Sequence, residues 1–144
     1  MQKIIIFVVA VQIIIACHYN SVVGSTLQAA LPLENTHWKL VAITGLKGDF
    51  PALTKEAFLL MKDGKMNGSS GCNNYFGAYK LDHGQLQFSA VADTKMYCDK
   101  VMDVEGQLYK AFANTSNYRI QASLLFLLKG DSTLAQFEGI MANK

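Results

Sequence analysis

The chain has 144 residues, 51% of them hydrophobic and 17% charged, with a formal net charge of +2. That length holds one domain with a real core and is too short for two. A charge so close to neutral supplies no electrostatic argument for nucleic acid as a partner.

The opening segment MQKIIIFVVAVQIIIAC sets Lys3 ahead of a nearly unbroken apolar run from Ile4 to Ala16. At roughly 13 residues the run falls short of the ~20 that a helix needs to cross a bilayer. Residues 1–16 therefore read as a secretory signal peptide, outside the folded domain. The competing reading is a buried strand or helix, because an apolar run alone does not separate the two. The terminal position behind a cation favours a leader, and the weakly patterned residues 17–32 read as a tether. Ile14-Ile15-Ala16-Cys17 resembles a bacterial lipobox, in which the cysteine is lipidated and becomes the mature amino terminus. On that reading Cys17 carries several acyl chains, which anchor a protein stably where one chain is marginal, and the membrane is the partner. The alternative is ordinary cleavage further on, with Cys17 lost or buried. His18 stands where an aspartate would signal inner-membrane retention, so the outer membrane of the envelope is the expected address.

Three cysteines would leave an odd one in an exported protein, but lipidation of Cys17 leaves Cys72 and Cys98 as a pair. An oxidising compartment favours their joining. Closing a loop of about 26 residues would add ~3–4 kcal/mol on the chain-entropy account.

From Leu33 the sequence is cut by turns at short intervals. HWKLVAIT (37–44) alternates, with Trp38, Leu40 and Ala42 on one face of a strand. Residues 44–56 carry two glycines, Pro51 and mixed charges, and read as a connecting loop with room for a turn of helix. Asp63-Gly64 between two apolar runs predicts a type I′ hairpin. Asp82-His83-Gly84 repeats the pattern between Tyr79-Leu81 and Leu86-Phe88. Residues 99–117 break it: Val101, Val104, Leu108 and Phe112 stand at helical spacing, Asp99 is placed to cap the start, and Asn114 marks the end. Residues 117–139 give two or three more strands, with a turn at Lys129-Gly130-Asp131-Ser132. The fold class expected is mainly β (α+β): a small antiparallel β-barrel or strongly bent sheet of about eight strands with one packed α-helix.

Chemistry is sparse. His18, His37 and His83 share no i, i+4 spacing and no carboxylate cluster, so neither a metal site nor a cofactor is expected. Gly68-Ser69-Ser70-Gly71 lacks the spacing of a nucleophile elbow, and its serines read as turn residues. Cys72 as a nucleophile needs a base, and only Lys65 and Lys80 are near in sequence. Asp93, Asp99, Asp103 and Glu105 read as charge complementing a helix amino terminus. Tyr75, Phe76 and Tyr79 read as core of a short strand, with pocket lining as the alternative. Asn73 is placed to hydrogen-bond local backbone.

Gly71-Cys72-Asn73, Tyr75, Gly77 and Tyr79, then Thr94-Lys95-Met96-Tyr97-Cys98, then Glu105, resemble the META (HslJ-like) domain family. The start Leu33-Glu34-Asn35-Thr36-His37-Trp38-Lys39-Leu40 is similar to the family's opening, with Asn35 where glycine is usual. The resemblance spans about residues 33–138, and the domain is taken as 33–140. It implies a compact barrel-like β domain with a helix, commonly exported and often lipid-anchored. Bacterial members are associated with heat-shock induction and novobiocin resistance, and no enzymatic reaction is established for the domain.

The leading expectation is a non-enzymatic, envelope-anchored lipoprotein supporting stress or antibiotic tolerance through binding or structure. A small-ligand carrier is the alternative; it requires an apolar cavity inside the barrel, bounded by Tyr75, Tyr79 or Phe88. An inhibitor of an exported hydrolase is the third, through a displayed loop. The sequence names neither a protein nor a small-molecule partner.

Overall fold

A computed structural model of the chain describes residues 29–53, 55–99 and 101–140. Residues 1–28, on which the expected signal peptide, Cys17 and most of the expected tether fall, lie outside the described residues. In chain order the elements are β1 His37–Ile43, β2 Ala57–Lys62, β3 Lys65–Ser70, β4 Asn74–Asp82, β5 Gln85–Phe88, β6 Ala92–Asp93, α1 Met102–Asn114, β7 Asn117–Gln121, β8 Leu124–Lys129 and β9 Ser132–Ile140. All strand pairs are antiparallel. They run in the order β3-β2-β1-β9-β8-β7-β5-β4-β6, and β4 pairs back onto β3, so one strongly bent sheet closes into a ring. The barrel-like α+β expectation holds. The strand beyond the eight foreseen is the two-residue β6, which pairs with Tyr75 and Phe76 of β4.

Local chemistry sets the hairpins. Asp63 (φ +50°) and Gly64 (φ +74°) join β2 to β3, and His83 (φ +45°) and Gly84 (φ +83°) join β4 to β5. Two successive positive φ angles are the type I′ turn that matches strand twist. In β1, Trp38 and Leu40 are buried as the alternation requires, but the register against β9 shifts between Leu40 and Ala42. A bulge adds one residue and swaps the faces beyond it, so Ala42 is exposed and Ile43 packs on the core instead. The helix starts later than Asp99 would place it. Its N-cap is Val101, which makes no side-chain cap bond, and Asp99 instead accepts from the Tyr97 hydroxyl (3.1 Å).

Trp38, Leu59, Met61, Met66, Tyr75, Leu86, Leu125, Leu127 and Phe137 fill the barrel, each at most 1% exposed. One end is closed by residues 31–36. Leu33 is buried there and accepts from Trp38 Nε1 (2.8 Å), Asn35 N donates to Met61 O (2.9 Å), and Glu34 accepts from the Tyr79 hydroxyl. Leu31 N donates to Ala122 O (3.1 Å), which fixes where the preceding chain joins the barrel. The helix covers the other side with Val104, Leu108, Ala111 and Phe112. The ring is thinnest between β5 and β7, which share only the pair Gln85↔Asn117, and there Phe112 of α1 packs at a tilt against Phe88 (4.9 Å between centroids, 56° between planes).

Candidate functional site

The polar residues of the family-like motifs converge where β3 ends and α1 begins. Small residues make the room. A Cβ on Gly68 would lie 2.0 Å from Phe58 O, and the Tyr75 ring crosses this position to donate its hydroxyl to Phe58 O (2.8 Å). Ser69 and Ser70 follow, both fully buried at the end of β3. They are the turn serines their composition suggests, Ser69 Oγ accepting from Gly71 N (3.2 Å) and Ser70 Oγ from Cys72 N and Asn73 N (3.4 and 3.0 Å), but they are also buried. The bend comes one residue later, at Gly71 with φ +94°, a conformation that costs glycine nothing.

Beyond the bend, Asn73 is the hub. Its Oδ1 accepts from Met96 N and Thr94 Oγ1 (both 2.7 Å), and its Nδ2 donates to Met96 O (3.0 Å) and to Glu105 Oε1 and Oε2 (3.0 and 2.9 Å). These partners lie 21–32 residues away, so the expected local hydrogen bonding is replaced by a long-range clamp. Glu105 also accepts from Ser70 Oγ (2.5 Å) and is 5% exposed. It is therefore a buried member of the network and not the solvated helix-start charge it resembles in sequence. Cys72 and Cys98 form a disulfide with Cα atoms 5.9 Å apart, tying the same two segments covalently.

Three further residues surround this clamp. Asp93, its side chain 6% exposed, accepts from Lys95 N (3.0 Å) and pairs with Lys95 Nζ (3.2 Å), holding Lys95 at φ +56°. The Tyr109 hydroxyl is buried without a hydrogen-bond partner among the described residues. Burial pushes the Tyr109 phenol well up, and the Glu105 and Asp93 carboxyls add to it. Burial likewise raises Tyr75, with Tyr109 close by. Ser70 and Tyr109 are absent from the family-like motif. Tyr109 stands four residues after Glu105, one helical turn along the same face, which is the signal that would have found it.

Of the motif residues, the fold gathers Gly71, Cys72, Asn73, Thr94, Met96, Cys98 and Glu105 here, with Tyr75 beside them. Gly77 lies further along β4, where a Cβ would sit 3.1 Å from Met66 Cε. Trp38 and Tyr79 belong to the opposite end, around residues 33–34. Burial and the Glu34 hydrogen bond push Tyr79 up to about 12.

Chemically, the clamp directs its polar atoms at protein backbone and at one another. Away from it, His37 pairs with Glu56 (2.6 Å) and His83 with Asp82 (2.5 Å). Among the described residues no group of three or more His, Cys, Asp or Glu is gathered to hold a metal ion. No helix among them is long and apolar enough to cross a membrane. A concavity of about 300 Å³ between the β5–β6 link and α1 is lined by Phe88, Ser89, Ala90, Val91, Tyr109 and Ala113. It opens on the outer surface, while Tyr75 and Tyr79 point into the filled interior.

A barrel of this topology, closed by a helix and tied by a disulfide, defines the class, and comparison with known proteins gives the family. The META domain model matches residues 31–139, and the chain belongs to that family. An NMR structure of a protein from Burkholderia xenovorans is 23% identical, with a TM-score of 0.62 over 76% of this chain and 85% of that one. A second NMR structure is 17% identical, with a TM-score of 0.54 over 71% and 87%. At these identities the likeness concerns the fold. No protein of curated function matches the chain.

Proposed function

We propose that the protein is an envelope lipoprotein: a rigid META domain, HslJ-like, held to the membrane by acyl chains on Cys17 and supporting stress or antibiotic tolerance through binding or structure, without catalysing a reaction. The observation that carries the reading is how the motif polar groups are used. Asn73 fixes the Met96 backbone and is itself held by Thr94 and Glu105, Ser70 outside the motif supports Glu105, and a disulfide ties the same segments. Such a set resists deformation, and its one hydroxyl–carboxylate contact, Ser70 with Glu105, is buried, with both side chains engaged in the clamp. The lipobox-like Ile14-Ile15-Ala16-Cys17 supplies the address. Anchoring is tested by expressing wild type and Cys17→Ser in a bacterial host and separating membranes from soluble protein. The wild type should sediment with membranes and the variant should be released; equal fractionation defeats the anchor.

The carrier reading asks for an apolar cavity inside the barrel, and the side chains at that position fill it. That filling favours the anchored domain acting through binding or structure over the carrier.

A further inference from the structure

Four methionines lie among the described residues, in four different settings. Met61 and Met66 are core residues at 0% and 1% exposure. Met102 is half-buried, and its sulfur accepts from Cys98 N (3.5 Å). Met96 is 51% exposed, beside Tyr97 at 77%. Yet its backbone is among the most firmly held in the molecule. Asn73 takes both its amide and its carbonyl, Lys95 before it is fixed by Asp93, and Cys98 two residues on is in the disulfide.

We propose that Met96 is an oxidation site, whose thioether takes one oxygen from a peroxide-class oxidant to become methionine sulfoxide while the fold stays intact. A sulfur lone pair attacks one peroxide oxygen; the S–O bond forms, the O–O bond breaks, and proton transfer releases water. Sulfur loses two electrons and the peroxide gains them. A sulfoxide in a core disrupts side-chain packing because it is polar and bulkier than the thioether. At Met96 the new oxygen enters water, and the bonds that hold the loop are backbone bonds that the side chain does not share. Oxidation therefore changes the Met96-Tyr97 tip from apolar to polar on a loop that does not move.

The placement gives the change a setting. β3 runs six residues from the end closed by residues 31–36 to the clamp, about 17–20 Å at a strand's rise. The preceding chain joins at Leu31, so Met96 lies toward the end of the barrel away from that junction. The reactivity does not depend on the anchored reading.

The test treats the folded mature protein, disulfide intact, with hydrogen peroxide and follows the four methionines by peptide mass. Met96 should gain one oxygen about tenfold faster than Met61, Met66 or Met102. The melting temperature of the singly oxidised protein should stay within about 2 °C of the starting protein. Met96→Leu should keep that melting temperature and lose the fast oxygen uptake. Equal rates at Met96 and any of the other three, or unfolding in step with Met96 oxidation, overturns the proposal. The experiment needs no membrane, so its failure leaves the anchor standing, and failure of the anchor leaves the reactivity standing.

Discussion

Asn73 holds Met96 from both sides, accepting from its amide at 2.7 Å and donating to its carbonyl at 3.0 Å, while the same Nδ2 meets Glu105 across 32 residues of sequence. One side chain thereby couples a barrel strand, a loop and the helix. Asn73→Ala leaves Met96 N and both Glu105 oxygens short of partners in a buried setting. It should lower stability by about 2–4 kcal/mol, read as the urea midpoint at unchanged slope. A loss under about 0.5 kcal/mol would mean the clamp is incidental.

Glycine positions should separate by what surrounds them. Gly68→Ala puts a Cβ 2.0 Å from a backbone oxygen that cannot swing away, and should cost about 3 kcal/mol or more. Gly77→Ala meets the flexible end of Met66 at 3.1 Å and should cost about 1 kcal/mol. Thermal unfolding of the two variants side by side checks the order.

Asn35 stands at φ +60°, in the left-handed region, where the family's usual glycine would be at ease. Asparagine tolerates this conformation and a β-branched residue does not. Asn35→Gly should leave the melting temperature unchanged or slightly raised, and Asn35→Val should lower stability by about 1–2 kcal/mol.

Alkaline pH should find the buried phenols. Tyr75, Tyr79 and Tyr109 all ionise at higher pH in the folded protein than when exposed. The unfolded chain releases these protons first, so their contribution is fully present below about pH 10 and is lost as pH rises toward 12. Urea midpoints should be level on this account up to about pH 9 and fall above pH 10, and Tyr79→Phe should soften the fall.

The Cys72–Cys98 bond closes a separation of 26 residues. Replacing both with serine, or reducing the bond, should remove about 3–4 kcal/mol. Calorimetry with and without reductant measures it; an unchanged melting temperature would contradict a stabilising tie.

Much of the barrel was legible because its signals are local. Asp63-Gly64 and His83-Gly84 announce their turns within two residues, and Val104, Leu108 and Phe112 mark the helix face by spacing. The cysteine pair follows from counting, once Cys17 is assigned elsewhere. What escaped depends on contacts far apart in sequence. Ser69 and Ser70 do serve the turn, as their small polar side chains suggest, but their burial is explained only by the Tyr75 ring crossing Gly68 and the arrival of Glu105. Glu105 has the sequence character of a helix-start charge, and nothing within four residues shows Asn73 as its partner. The bulge after Leu40 leaves no mark in the alternation, so Ala42 and Ile43 exchanged faces unseen.

The central claim, a META domain held in the envelope by lipid, stands or falls at one residue. Mass spectrometry of the amino-terminal peptide of the mature protein reads it directly. The account predicts a chain beginning at Cys17 and carrying a diacylglyceryl group on sulfur with an acyl chain on the amine. A mature terminus beyond residue 17, or a Cys17 free of lipid, would contradict it.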